Sequence, residues 1–395
     1  MIKKRIFSII IIMDAIVLLT QLSNISISYG EASLLYGDLS FLRLLIQASI
    51  FLFGQNDFAL RLPMIMMHLA SAILLYKLSD KYLSAQRDKI WLVLLFILLP
   101  GVISSALVVN SAGLVIFGLF LFLYVYENFH VKVAYAVSFI YLFVDPGFIY
   151  LFFGMSVYYM YGKQKYASLY NGLLFLTSIY LYGLEVYGVP TGHFLDAIGI
   201  YSTIFTPFIF IYIVYALYRR YLANNIDHIW YVASTTFVFS LLLSIRQKVM
   251  VEHFAPYLII ALPLVAQTFA NSYRVRLKMF RSKYKVLFIL SFVFLVFNYL
   301  IVVFNKELYL VLQNPQKHFA YDAHIARDLA KQLKSKNISC VATDKKMSLR
   351  LAFYGIESCE ENVLKDNDLK LDSDVTISYK NKILYSANVT KLNNK

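Results

Sequence analysis

Lys3-Lys4-Arg5-Ile6-Phe7-Ser8-Ile9-Ile10-Ile11-Ile12-Met13-Asp14-Ala15-Ile16-Val17-Leu18-Leu19 sets the reading of the whole chain: three cations, then an apolar run interrupted by one acid. A membrane-spanning helix needs about 20 mostly apolar residues. Runs approaching that length recur as far as Phe304, separated by short connectors in which Lys and Arg crowd onto alternate turns. Eleven spans are predicted, near Ile6–Leu22, Ala59–Leu78, Ile90–Ala106, Ala112–Tyr126, Val133–Val144, Gly147–Tyr161, Leu169–Leu184, Ser202–Leu217, Trp230–Ser244, Phe254–Ala270 and Val286–Val303.

The charge pattern orients these spans. With the N-terminus in the cytoplasm, the internal connectors hold eighteen Lys and Arg, from Lys3, Lys4 and Arg5 to the cluster between Arg274 and Lys285. Only Arg43, Arg61, Arg246 and Lys248 are left on the opposite side. Basic residues favour the cytoplasmic face, so this asymmetry predicts a C-terminus outside the cell membrane. Hydrophobic residues make up 59% of the chain and charged residues 15%, a balance that excludes a soluble domain and predicts an all-α polytopic membrane protein. The net charge of +14 is then explained by orientation and by anionic lipid head groups, and no nucleic-acid partner is expected. Leu39–Phe53 is apolar but short and carries Arg43 and Gln47; counting it as a span would reverse every later connector. It is expected as a helix lying along the outer surface. The first span starts like a signal peptide, but no small-residue cleavage pattern follows, and a retained helix is expected.

Past Asn305 the composition turns polar, which divides the chain into a transmembrane domain, 1–304, and a small soluble α/β domain, 305–395. Ile325, Leu329 and Leu333 recur at helical spacing within His324–Lys334. Ile338–Ala342 reads as a strand, Ser348–Tyr354 as a short helix stopped by Gly355, and Val375–Tyr379 with Ile383–Tyr385 as a hairpin. Both cysteines, Cys340 and Cys359, fall here. In an oxidising compartment they can form a disulfide, and the alternative is a pair of reduced core thiols.

The chain has no phosphate-binding P-loop, dinucleotide fingerprint, His/Cys metal spacing or serine nucleophile elbow. What it has is a set of polar residues at the expected outer face. The first outside connector, Ser23–Phe58, contains Ser28-Tyr29-Gly30-Glu31-Ala32-Ser33-Leu34-Leu35-Tyr36-Gly37-Asp38. Two carboxylates beside a membrane can act as a general base and as the group that orients an acceptor or metal; otherwise both are solvated loop acids.

The stretch Phe51-Leu52-Phe53-Gly54-Gln55-Asn56-Asp57-Phe58-Ala59-Leu60-Arg61-Leu62-Pro63 resembles the segment entering the second helix of GT-C membrane glycosyltransferases, in the protein mannosyltransferase and lipid A aminoarabinose transferase group. Gly30-Glu31-Ala32 stands where that group has an Asp-Glu-Ala-type motif. A weaker likeness runs from Arg246 to Pro263 through His253-Phe254-Ala255-Pro256-Tyr257-Leu258. The resemblance implies transfer of a sugar from a polyprenyl-phosphate donor to a glycan, lipid or protein acceptor. Heavy use of Ile, Lys, Asn, Tyr and Phe suggests an AT-rich bacterial genome, and with the charge pattern a bacterial inner-membrane protein with its C-terminal domain in the periplasm is expected. The resemblance also implies Glu31 and Asp38 as catalytic acids, Arg61, Arg246, Lys248, His253 and Tyr257 as substrate-binding residues, and a divalent metal as a possible cofactor without assigned ligands. Two departures stand out. Gly30 replaces the first acid of the motif, and Asn110-Ser111-Ala112-Gly113 lacks the acid found in relatives at the second outside turn.

Asp14, inside the first span, is a functional candidate or a partner within the bundle. Asp145-Pro146-Gly147 is expected as a structural turn. Glu185, His193 and Asp196 share one connector without a motif. A transporter would need midplane polar groups, broken helices and repeats; Pro100-Gly101 is one break, and no repeat is visible. A non-catalytic membrane scaffold fits the missing acids.

Overall fold

The computed structural model describes residues 2–183, 186–187, 192–366 and 374–391. The chain forms two compact units. One comprises Met1–Ala15, Met64–Ala106 and Ser111–Tyr299; the other comprises Ile16–Pro63, Leu107–Asn110 and Leu300–Lys395.

The first unit is helical, with an apolar core that includes Phe96, Phe120, Phe152, Tyr201 and Leu258. Among the described residues of the whole chain, four helices are long and apolar enough to cross a membrane: Arg5–Leu22, Asp57–Tyr82, Ser111–Asn128 and Lys278–Val303. Four further pairs of helices pass only if each bent pair counts as one span, giving up to eight, so the expected eleven are not reproduced. The bends have local causes. Gln86–Leu98 and Pro100–Leu107 meet at 60°, because a proline has no N–H to donate and holds the preceding Leu99 in an extended conformation. Phe194–Phe205 and Pro207–Leu222 meet at 105° through Thr206, whose φ of 64° interrupts the helix immediately before Pro207. Other predicted spans are single short helices: Val131–Val144 has 14 residues, about 21 Å at 1.5 Å per residue against a hydrocarbon core of about 30 Å. The bundle is tight where Ile149–Tyr161 crosses His228–Ser244: a Cβ on Gly154 would lie 2.7 Å from the Val232 Cα, so only glycine fits.

The second unit joins the first connector to the C-terminal segment. Tyr29–Tyr36 and Phe41–Phe53 are helices capped by Ser28 and Ser40. Phe41–Phe53 is a helix as expected; Leu42, Ile46 and Ser49 are buried, Phe51 and Leu52 are exposed, and with Tyr29–Tyr36 it makes one of the four bent pairs, at 93°. Helices Ala326–Ser335 and Lys345–Phe353 accompany an antiparallel sheet in the order Asn362–Asp366, Lys382–Lys391, Val375–Tyr379. Ile325, Leu329 and Leu333 are buried as their spacing predicts. The strand expected at Ile338–Ala342 is reduced to isolated parallel bridges, Cys340 with Glu357 and Ala342 with Val363, and the strand Asn362–Asp366 was not anticipated. Cys340 and Cys359 form a disulfide, with Cα atoms 5.5 Å apart.

Candidate functional site

The first connector is organised by a capping box. Ser28 caps Tyr29–Tyr36, and its side chain accepts from the Glu31 backbone N–H while the Glu31 carboxylate turns back to the Ser28 N–H, 2.8 Å away. That reversal aims the carboxylate at Arg61, on the second turn of Asp57–Tyr82. Arg61 Nε donates to Glu31 Oε1 at 2.8 Å and an Arg61 terminal nitrogen to Oε2 at 2.7 Å. The Val109 N–H, from the second connector, gives Oε1 its second bond at 3.0 Å. Arg61 also donates to the carbonyl oxygens of Ile25 and Ser26, at 2.7 and 2.8 Å. Both side chains are fully buried.

This geometry describes the surroundings of two of the expected site residues. A carboxylate has about four lone-pair positions, and Glu31 uses four, so in this conformation no oxygen is open to an acceptor hydroxyl. Glu31 holds the connector together through these four bonds. Arg61, expected as an outer-face cation for phosphate, is a buried counter-ion with four of its five N–H donors hydrogen-bonded. Asp38 lies beyond the end of the same helix, exposed to solvent, and carries the more accessible carboxylate of the pair.

Asp57 extends the cluster by one helical turn. Its Oδ1 lies 3.9 Å from Arg61 and accepts from the Tyr354 hydroxyl at 2.6 Å, and its Oδ2 lies 3.5 Å from Arg327. Burial, with the Asp57 charge beside it, pushes the Tyr354 hydroxyl far above the usual phenol range and keeps it a donor. Sequence reasoning passed over Asp57, Arg327 and Tyr354. The single available signal was that Asp57 and Arg61 are spaced to share a helix face.

The remaining site residues belong to the other unit. Tyr257 is fully buried; its hydroxyl donates to the Gly147 carbonyl at 2.7 Å and accepts from the Leu151 N–H at 3.1 Å. It therefore joins two helices, its hydroxyl acting once as donor and once as acceptor. His253 lines a cleft with Pro146, Gly147, Tyr150, Met250 and Phe254. Arg246 and Lys248 are exposed, and Lys248–Val249 pairs with Val186–Tyr187 as a two-stranded ribbon. His193 is near Asp196, with Nδ1 3.2 Å from Oδ2, and Glu185 lies outside the described residues. Asp145 is the structural turn expected: Oδ1 accepts from the Gly147 N–H and the Ser111 hydroxyl. Asp14 finds a partner in the bundle, its Oδ2 2.9 Å from His68 Nε2. Among the described residues no group of three or more His, Cys, Asp or Glu is arranged to hold a metal ion.

Many apolar helices together with a small mixed C-terminal segment define an integral-membrane type of fold. No family model and no curated protein matches the chain. Among solved structures, the chain is similar to the crystal structure of ArnT from Cupriavidus metallidurans in the apo state, with a TM-score of 0.52 and 12% identity over 89% of this chain and 84% of that one. At that identity the similarity establishes the fold.

Proposed function

We propose that this protein is a membrane glycosyltransferase of the GT-C type, which moves a sugar from a polyprenyl-phosphate donor to an acceptor on the extracytoplasmic side. The observation that carries this reading is the fold similarity to ArnT over nearly the whole of both chains, which agrees with the likeness of the Phe51–Pro63 stretch to the same group. Transfer needs a base to take the proton of the acceptor hydroxyl while its oxygen attacks the anomeric carbon and the polyprenyl phosphate leaves. It also needs cations that meet the charge growing on that phosphate. Asp38, being exposed, is our choice of base, and Glu31 with Arg61 fixes the connector that carries it.

A second reading, a non-catalytic scaffold, is favoured by one feature. The motif position Gly30 has no side chain, and a Cβ there would meet nothing within 4 Å, so the place for an additional acid stands open. Release of polyprenyl phosphate from labelled polyprenyl-phosphate sugars, in membranes containing the protein, separates the two readings. Asp38→Asn should lower turnover by about 10²–10⁴-fold, the usual contribution of a positioned base. Wild-type membranes that are inactive with every donor, but gain turnover on Gly30→Asp, would favour the scaffold.

A further inference from the structure

We infer that Tyr354 is a positioning residue that holds both ends of the first connector, so that the C-terminal segment sets the shape of the loop bearing Asp38. Three consecutive residues at the start of that loop are each tied down. The Ser26 N–H and hydroxyl both donate to the Ala323 carbonyl, at 2.7 and 2.9 Å; the Ile27 N–H donates to the Tyr354 hydroxyl oxygen at 2.9 Å; and the Ser28 N–H donates to Glu31. At the other end the Gln55 amide donates to the Phe353 carbonyl at 2.7 Å, and Asp57 accepts from Tyr354. One hydroxyl thus accepts from residue 27 and donates to residue 57, about 300 positions away in sequence from each.

The position of that hydroxyl is itself fixed. Tyr354 is the C-cap of Lys345–Phe353, and the next residue, Gly355, takes the φ of 76° that ends the helix. From Asp57 the restraint passes along one helical turn to Arg61 and from there to Glu31. Arg61 also spans the two ends, through the Ile25 and Ser26 carbonyls and beside Asp57, while the Tyr354 hydroxyl is hydrogen-bonded to both Ile27 and Asp57. Packing alone does not account for the arrangement, since a phenylalanine would fill the same space and make neither bond.

Tyr354→Phe in the full-length protein, held in lipid nanodiscs, tests this. Hydrogen exchange of amides 25–38 should accelerate about fivefold or more, the factor expected from one lost hydrogen bond, with Ile27 affected most. Tyr379→Phe, whose hydroxyl bonds Glu307 in the same segment, should leave those amides unchanged. The role proposed here rests on the transferase reading, and a second arm addresses it. Turnover should fall while affinity for undecaprenyl phosphate alone stays constant, because Tyr354 acts through the loop and touches no ligand. Unchanged exchange in Tyr354→Phe overturns the inference, and so does a parallel loss of undecaprenyl phosphate affinity. If the wild type has no transferase activity, the transferase reading fails by itself and the exchange arm still decides whether Tyr354 holds the loop.

Discussion

Replacing Glu31 by glutamine separates its structural role from any catalytic one. The carboxylate accepts four hydrogen bonds, two on each oxygen. An amide retains one accepting oxygen, and whichever way it is flipped its NH2 faces two donors: Arg61 with Ser28, or Arg61 with Val109. The guanidinium meanwhile stays fully buried, and its nearest remaining carboxylate is Asp57, 3.9 Å away. Removing one partner of such a pair costs about 3–5 kcal/mol, because an uncompensated charge is left inside; this corresponds to about 10²–10⁴ in the folded-to-unfolded ratio. Pulse proteolysis over a urea series, on full-length protein in nanodiscs, measures that ratio. Glu31→Gln should shift the midpoint to clearly lower urea, and Glu31→Gln with Arg61→Gln should cost less than the sum of the single variants, since the stranded charge is gone. A Glu31→Gln midpoint within about 0.5 kcal/mol of wild type would refute the reasoning and return Glu31 to the role of an unencumbered base. Activity of this variant is meaningful only where it is still folded.

Cys340→Ser with Cys359→Ser opens a loop whose ends are 19 residues apart, and should cost the C-terminal segment about 3 kcal/mol by chain entropy, read as the same urea shift with and without reductant. His324 is buried between the Tyr309 hydroxyl and the Asn305 side chain, and burial with nearby Lys306 lowers its pKa to about 3. The folded state therefore keeps His324 neutral while the unfolded chain takes up a proton below about pH 6.5. The stability that neutral His324 confers is complete above that pH and is lost as pH falls toward 3, by up to about 1.4 kcal/mol per unit. Urea midpoints measured from pH 7 to 5 should show that slope, flattened in His324→Gln. Tyr257→Phe leaves the Gly147 carbonyl and the Leu151 N–H without their side-chain partner, and a loss of about 1–3 kcal/mol is expected from thermal unfolding in detergent.

Apolar runs and helical spacing are local properties, and these the sequence displays: the Phe41–Phe53 helix, the buried Ile325–Leu329–Leu333 face and the break at Pro100 are all readable from neighbouring residues. The expected span Ser202–Leu217 hides a turn at Thr206, because average hydropathy is blind to a single φ. The site shows the same division more sharply. From the sequence, Glu31 is expected as an acid because of its motif position and Arg61 as a phosphate partner because it is a cation at the outer face. In the structure each is the other's counter-ion, across 30 residues that no spacing rule connects. Tyr354 lay further still from any motif. Its role follows from a hydroxyl that can donate and accept at once, placed by a helix end where Ile27 and Asp57 each need one of those functions. Pairing in three dimensions thus leaves Asp38 as the exposed acid of the connector and Glu31 as its buried one.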